Sequence, residues 1–260
     1  MSKLTKLYVG SYLIMRDYAA GIFPPKFEDA AQTYEGELNY HTTLPGIPEA
    51  ESRRRDMCKP FGPHFPTSDY LRHLSTLLET LDKLGVARKA KLLELGCGEG
   101  WMAECLALSG FDVHATSISP ADIKEGSKRI EAVRVKDADA RLQFRASPME
   151  SIHSHVEDLI PLDVVFVYEA LHHAFCWKTT FGSVFQCLAP GGWFLICNEP
   201  NVLHTFVSYR VARLSNTHEI GLSRRKMVKS LADSGFTDVR ILENRLNNGV
   251  RPHWIAAQKP

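Results

Sequence analysis

The chain has no Cys-x-x-Cys pair and no cysteine–histidine set with zinc-ligand spacing, which argues against a structural zinc module. Its six cysteines, Cys58, Cys97, Cys105, Cys176, Cys187 and Cys197, lie scattered along 260 residues. They read as reduced thiols, several of them in the core, in a reducing and hence cytoplasmic compartment. No apolar run approaches the roughly 18 residues needed to span a bilayer, so no membrane partner is expected. Lys3 and Lys6 do precede the apolar stretch Leu7–Met15, but Tyr8, Gly10, Ser11 and Tyr12 interrupt it and Arg16 and Asp17 follow. That is a poor secretory signal and a better start of an amphipathic segment. Charge of one sign is missing too: 31 Lys and Arg face 30 Asp and Glu, a formal net charge of +1. No global field draws the chain onto nucleic acid, and no RNA-binding module is appended. Internal repeats and low-complexity tracts are absent.

What is present is an ordinary globular composition, 44% hydrophobic and 23% charged, long enough to bury a core without staples. The organisation changes near residue 66. Before it, Pro24, Pro25, Pro45, Pro48, Pro60, Pro63 and Pro66 break the chain and predict an irregular or short-helical extension over residues 1–66. After it, Thr67-Ser68-Asp69 offers helix caps, Leu71, Leu74, Leu77, Leu78, Leu81 and Leu84 recur at helical spacing, and Gly85 offers a stop.

From residue 91, strand-like runs alternate with helical segments such as Trp101–Leu108 and Lys226–Ser234. The strands are expected at Leu92–Leu95, Asp112–Ser117, Leu142–Ala146, Asp163–Tyr168, Trp193–Asn198, Asp238–Leu242 and His253–Ala257. Near-continuous apolar strands alternating with helices predict an α/β, doubly wound, Rossmann-like and mostly parallel seven-stranded sheet over residues 67–260. The short connection Glu243–Pro252 predicts an antiparallel hairpin at the sheet edge.

The strongest motif is Leu92-Leu93-Glu94-Leu95-Gly96-Cys97-Gly98-Glu99-Gly100, an apolar strand running into a glycine-rich turn with a helix starting at about Trp101. Glycines allow positive φ and close approach of a ligand to main chain, and the helix N-terminus presents free N–H groups. The spacing is GxGxG, not the GxGxxG of nicotinamide-dependent oxidoreductases, and no lysine makes it a P-loop. Glu94, two residues before Gly96, is placed to orient the loop or attract an ammonium group.

These residues resemble motif I of the class I S-adenosylmethionine-dependent methyltransferases, and segments downstream resemble the same family in the same order. Gly110–Pro120 resembles its second strand and turn, and Met149-Glu150 the adenine-contacting pair. Asp163–His173 resembles its fourth strand and following loop, and Leu188–Trp193 the turn before its fifth strand. The resemblance spans about residues 67–258 and implies a methyltransferase that binds S-adenosylmethionine and releases S-adenosylhomocysteine. It implies cofactor contacts from Glu94, Gly96, Cys97, Gly98, Gly100, Trp101, Ser117, Ile118, Met149, Glu150, Tyr168 and Glu169. Two positions depart from the family: Ser117 stands where an acid usually binds the ribose hydroxyls, and Pro148 where an Asp usually precedes the adenine pair. They motivate the alternative of a protein that binds the cofactor without transferring its methyl group.

The candidate catalytic residues are His172 and His173, after the fourth strand, and Glu199 with His204, after the fifth. A Glu199–His204 pair is expected to act as a base with its orienting group. No ligand spacing supports a metal. The resemblance places the acceptor pocket between residues 1–66 and 201–222. The first carries Tyr8, Tyr12, Tyr18, Phe23, Phe27, Tyr34 and Tyr40 as aromatic cover or homodimer contact. The second carries His204, Tyr209, Arg210, Arg213 and His218, with Arg224 and Arg225 beyond, as recognition groups, whereas Arg53-Arg54-Arg55 reads as surface. The expected acceptor is a small molecule, a sugar or a lipid-linked compound, methylated at oxygen.

Overall fold

The computed structural model describes residues 3–25, 27, 29–63, 66–242 and 249–260. The N-terminal part holds helices α1 (Lys3–Ala19), α2 (Ala30–Leu38), α3 (Tyr40–Thr43), α4 (Glu49–Met57) and α5 (Thr67–Lys83). Alternation then begins with β1 (Lys91–Leu95), α6 (Trp101–Leu108), β2 (Asp112–Ser117), α7 (Pro120–Lys136) and β3 (Arg141–Ala146). It continues with α8 (Ile152–His155), β4 (Leu162–Tyr168), α9 (Trp177–Cys187) and β5 (Leu188–Glu199). The chain ends with α10 (His204–Val207), α11 (Tyr209–Ser215), α12 (Arg224–Asp233), β6 (Thr237–Ile241) and β7 (His253–Gln258).

The strands form one seven-stranded sheet in the order β3-β2-β1-β4-β5-β7-β6. Pairs β1–β2, β1–β4, β2–β3 and β4–β5 are parallel, and β7 is antiparallel to both β5 and β6. Burial on both faces explains why the central strands read as apolar runs. Leu93, Leu95, Val165, Val167, Phe194 and Ile196 face Ile152 of α8, Phe181 and Val184 of α9, and Met227 and Leu231 of α12. Leu92, Val164, Phe166 and Leu195 face Leu77 and Leu81 of α5, Met102 and Leu106 of α6, and Val133 of α7. The strand order reverses between β1 and β4, which opens a crevice at their carboxyl ends.

The structure corrects several expectations. Residues 1–66 hold a 17-residue helix, α1, rather than only irregular or short pieces. Thr67 opens α5 without a side-chain cap. Leu188–Gly192, expected as a turn, belongs to β5: Leu162 pairs with Leu188 and Val164 with Trp193, so the extra residues bulge out, carried by Gly191 at φ +79°. The last two strands do pair antiparallel, but β7 inserts between β5 and β6. Their connection lies largely outside the described residues, at 243–248.

Candidate active site

The glycine turn after β1 carries positive φ at Gly96 (+67°), Gly98 (+53°) and Gly100 (+75°). A Cβ on Gly96 would sit 2.5 Å from Cβ of Ala170, and one on Gly100 2.3 Å from the Phe144 ring; one on Gly98 would meet nothing within 4 Å. Gly96 and Gly100 thus serve close packing, and Gly98 faces open space. That space is a cavity of about 440 Å³ at the carboxyl edge of the sheet, the size of a small-molecule site. A side chamber of about 130 Å³ adjoins it.

The expected cofactor residues divide by position. Ser117, Ile118, Met149 and Glu150 line the main cavity, and Gly96, Gly98 and Glu169 line both spaces. Cys97, Gly100, Trp101 and Tyr168 line only the side chamber. Glu94 lines neither. It is buried, accepts the Ala103 N–H in α6, and burial pushes its carboxyl up to about 8 against that hydrogen bond and the charge of Arg129. Of its two expected roles, orienting the turn is the one its position serves.

Ser117 Oγ accepts the Ser119 N–H at 3.1 Å and donates to Asp122 Oδ2 at 3.2 Å. Asp122 itself lines the cavity, and its Oδ1 is buried without a hydrogen bond. Sequence reading missed it because it sits in the first turn of α7, five residues beyond the familiar position. Glu150 is anchored by Tyr34 Oη at 2.6 Å and Cys176 N–H at 3.2 Å.

The ends of β4 and β5 turn together. Glu169 (φ +51°) and Asn198 (φ +55°) both adopt left-handed backbone, a conformation that side chains other than glycine adopt at a cost and that clusters at functional sites. Asn198 Nδ2 donates to Glu169 Oε1. Tyr168 Oη and His73 Nδ1 lie 2.8 Å apart. Wholly buried Glu199 accepts the N–H groups of Ala170 (2.7 Å), Leu171 (2.8 Å) and His172 (3.3 Å) and the His172 imidazole Nδ1–H (2.8 Å).

The expected Glu199–His204 pair is therefore not formed. Glu199 takes His172, and His204, which does not line the cavity, pairs through Nε2 with Glu219 Oε2 at 2.6 Å. Burial, then the neighbouring His173, holds His172 well below the ordinary histidine range, so its imidazole is neutral. His173 behaves oppositely. Burial opposes its charge, but Glu37 at 3.1 Å, Glu219 and Glu199 outweigh burial and push it up to about 10. A permanently charged imidazolium does not serve as a general base at neutral pH.

Much of the cavity wall comes from residues that sequence reading did not single out: Glu37, His41, Asp56 and Lys59 before residue 66, and Glu99, Glu219 and Arg251 beyond it. His41 Nε2 lies 3.5 Å from Glu99, 3.8 Å from Asp56 and 3.8 Å from Asp122. Burial, then Asp56 and Asp122, pushes Glu99 up to about 8. Among the described residues, two groups bring ligand atoms within 4.8 Å of one another, His172–His173–Glu219 and His41–Asp56–Glu99, and their donor atoms are of the kind that could hold a divalent ion.

Other expected acceptor residues point elsewhere. Of the aromatic residues, Tyr34 and Tyr40 reach the cavity, Tyr8, Tyr12 and Tyr18 are exposed, Phe23 packs on Phe206 and Tyr209, and Phe27 packs on His218. Arg213 and Tyr209 both bind Asp17 of α1. Arg224 turns to His253 and Pro252. Arg53, expected on the surface, reaches Asp122 at 3.5 Å.

Comparison with known proteins settles the class. A family of methyltransferase domains matches residues 67–241. The chain belongs to that family. It is an S-adenosylmethionine-dependent methyltransferase. This methyltransferase is 28% identical over 184 residues to the ubiquinone biosynthesis O-methyltransferase of Psychrobacter arcticus, covering 67% of this chain and 69% of the relative. It is 27% identical over 184 residues to phosphoethanolamine N-methyltransferase 1 of Triticum aestivum, covering 68% of this chain but 34% of the relative. Its fold matches the Synechocystis magnesium protoporphyrin IX methyltransferase with bound SAH, with a TM-score of 0.61, 16% identity, and coverage of 88% of this chain and 100% of that one.

Proposed function

We propose that this methyltransferase acts on a small-molecule, sugar or lipid-linked acceptor at oxygen, under a roof formed by residues 1–66. S-adenosylmethionine supplies a methyl carbon already activated by its sulfonium. The residues present fit that cofactor. Gly98 leaves main chain bare for the amino-acid tail, and Asp122 and Glu99 each direct a buried carboxylate oxygen without a hydrogen bond at the cavity or its rim. Trp101 and Tyr168 put aromatic rings on the side chamber, a surface that suits a cation. In this reading Gly96–Gly100 hold the tail, Asp122 takes the ribose hydroxyls in place of an acid at 117, and Met149 and Glu150 border the adenine.

The observation that carries the oxygen reading is the His172–Glu199 pair. With Nδ1–H donated to Glu199, the neutral imidazole keeps a lone pair on Nε2, and His172 lines the cavity beside charged His173. His172 takes the hydroxyl proton, Glu199 fixes the ring, and the His173 imidazolium holds the developing oxyanion. Positioning of the acceptor supplies the rest. A second reading, methylation of an amine, rests on the carboxylates of Glu37, Asp56, Glu99, Asp122, Glu150, Glu169 and Glu219 around the same cavity.

Incubation with methyl-labelled cofactor and a panel of phenols, catechols, sugars and amines tests both. Label in an O-methyl product, with a rate falling about 100-fold in His172→Asn at unchanged cofactor affinity, is expected. Label found only in N-methyl products would overturn the oxygen reading.

A further inference from the structure

Helix α1 turns its most apolar side away from the protein. Its inner side places Leu13 and Asp17 in the protein, and a Cβ on Gly10 would lie 3.7 Å from Arg210 Cβ, so the helix lies close on α11. The outer side carries Leu4, Leu7, Tyr8, Tyr12, Met15 and Tyr18, each between 55% and 79% exposed. At 100° per residue these six fall within an arc of about 140°, interrupted only by small residues such as Ser11. A helix in water normally turns a polar face outward; one that turns its apolar face outward has an apolar environment to meet.

The patch continues onto the neighbouring segment. Phe23 stacks on Phe206 at 5.2 Å, and Val202, Leu203, Phe206 and Val207 are at least 52% exposed. Charge around it has one sign. Arg16, Arg210 and Arg213 lie beside the patch, and the only carboxylate on α1, α10 or α11 is Asp17. That carboxylate is wholly buried and bound by Arg16 at 2.6 Å and Arg213 at 3.0 Å. Two guanidiniums on one carboxylate leave an excess of positive charge, to which Arg210 adds.

We propose that this face docks on an anionic bilayer surface. Leu4, Leu7 and Met15 enter the headgroup–acyl boundary, Tyr8, Tyr12 and Tyr18 sit at headgroup level, and the cations meet lipid phosphates. None of the described helices is long and apolar enough to cross a membrane, so the contact is peripheral. A second copy of the chain would bring the same cations face to face, which charge complementarity disfavours.

The test is co-sedimentation of the full chain with vesicles of mixed phosphatidylcholine and phosphatidylglycerol, against pure phosphatidylcholine. Binding to the anionic vesicles is expected, weakening with added salt and with Arg210→Glu. Leu7→Glu combined with Met15→Glu should lower it about tenfold or more. Both positions are exposed, so calorimetric S-adenosylhomocysteine binding should stay unchanged in these variants and certify their fold. Wild-type protein left in the supernatant with anionic vesicles would overturn the proposal, as would equal sedimentation of the double variant. A wild-type mass of two chains by light scattering, reduced to one in the double variant, would assign the face to a second copy instead.

Discussion

The Ser117 hydroxyl lies 3.2 Å from the Asp122 carboxylate, so the acid missing from the end of β2 returns from the first turn of α7. Its other oxygen, Oδ1, is buried and lacks a hydrogen bond within the chain, with Arg53 at 3.5 Å and His41 at 3.8 Å. Asp122→Asn should weaken S-adenosylhomocysteine binding by about tenfold or more, the worth of a charge-assisted hydrogen bond. Isothermal calorimetry reads this directly, and an affinity equal to wild type would remove Asp122 from the ribose site.

Gly98 and Gly100 are two residues apart and should fail differently. An alanine at Gly100 collides with the Phe144 ring at 2.3 Å, so Gly100→Ala should cost about 2 kcal/mol or more of stability and lower the melting temperature. Gly98 has open space but φ +53°. Gly98→Ala should lose about 1 kcal/mol to strain and considerably more in cofactor affinity, because its methyl group enters the space left for ligand. Equal effects of the two variants on binding and melting would contradict the division.

His173 is raised to about 10 by Glu37 and Glu219 despite burial. A raised folded pKa gives stability that is complete below the unfolded value of about 6.5 and is lost as pH rises through 10. Glu37→Gln should lower the His173 titration midpoint by at least about 1 unit, followed by NMR of the imidazole carbons. An unmoved midpoint would show that Glu37 does not hold the proton.

Glu94 has a folded value of about 8 against an ordinary 4.5. The folded state keeps this proton longer than the unfolded chain, so stability is complete below 4.5 and falls as pH rises towards 8. Glu94→Gln keeps an oxygen for the Ala103 N–H and removes that slope. It should be neutral near pH 4 and stabilising by about 2 kcal/mol near pH 9, well under the full shift at about 1.4 kcal/mol per unit. Denaturant titrations at the two pH values check it.

The sheet was largely legible because its strands are apolar runs buried on both faces, and the glycine turn because positive φ restricts residue choice at Gly96, Gly98 and Gly100. The partners of the catalytic candidates were not legible. Glu199 chose His172 rather than His204 because the turn over Leu171–His173 brings main-chain N–H groups onto the carboxylate, a tertiary event without a sequence period. The wall from Glu37, His41, Asp56 and Lys59 was equally silent. Single polar residues on short helices bear no pattern, and only docking of those helices on the sheet edge turns them inward. Asp122 carried a usable signal, an acid one turn into the helix after a serine where an acid was expected.

A single carboxylate, Glu199, grips three consecutive main-chain groups and a ring from the neighbouring strand's loop. The loop after β4 and the end of β5 are thereby held as one piece, so a change in either is felt in the other. In the proposed reading, the choice of acceptor falls instead to the helices before residue 66. Exchanging them with those of a relative should redirect which molecule is methylated and leave the grip on the methyl donor largely intact.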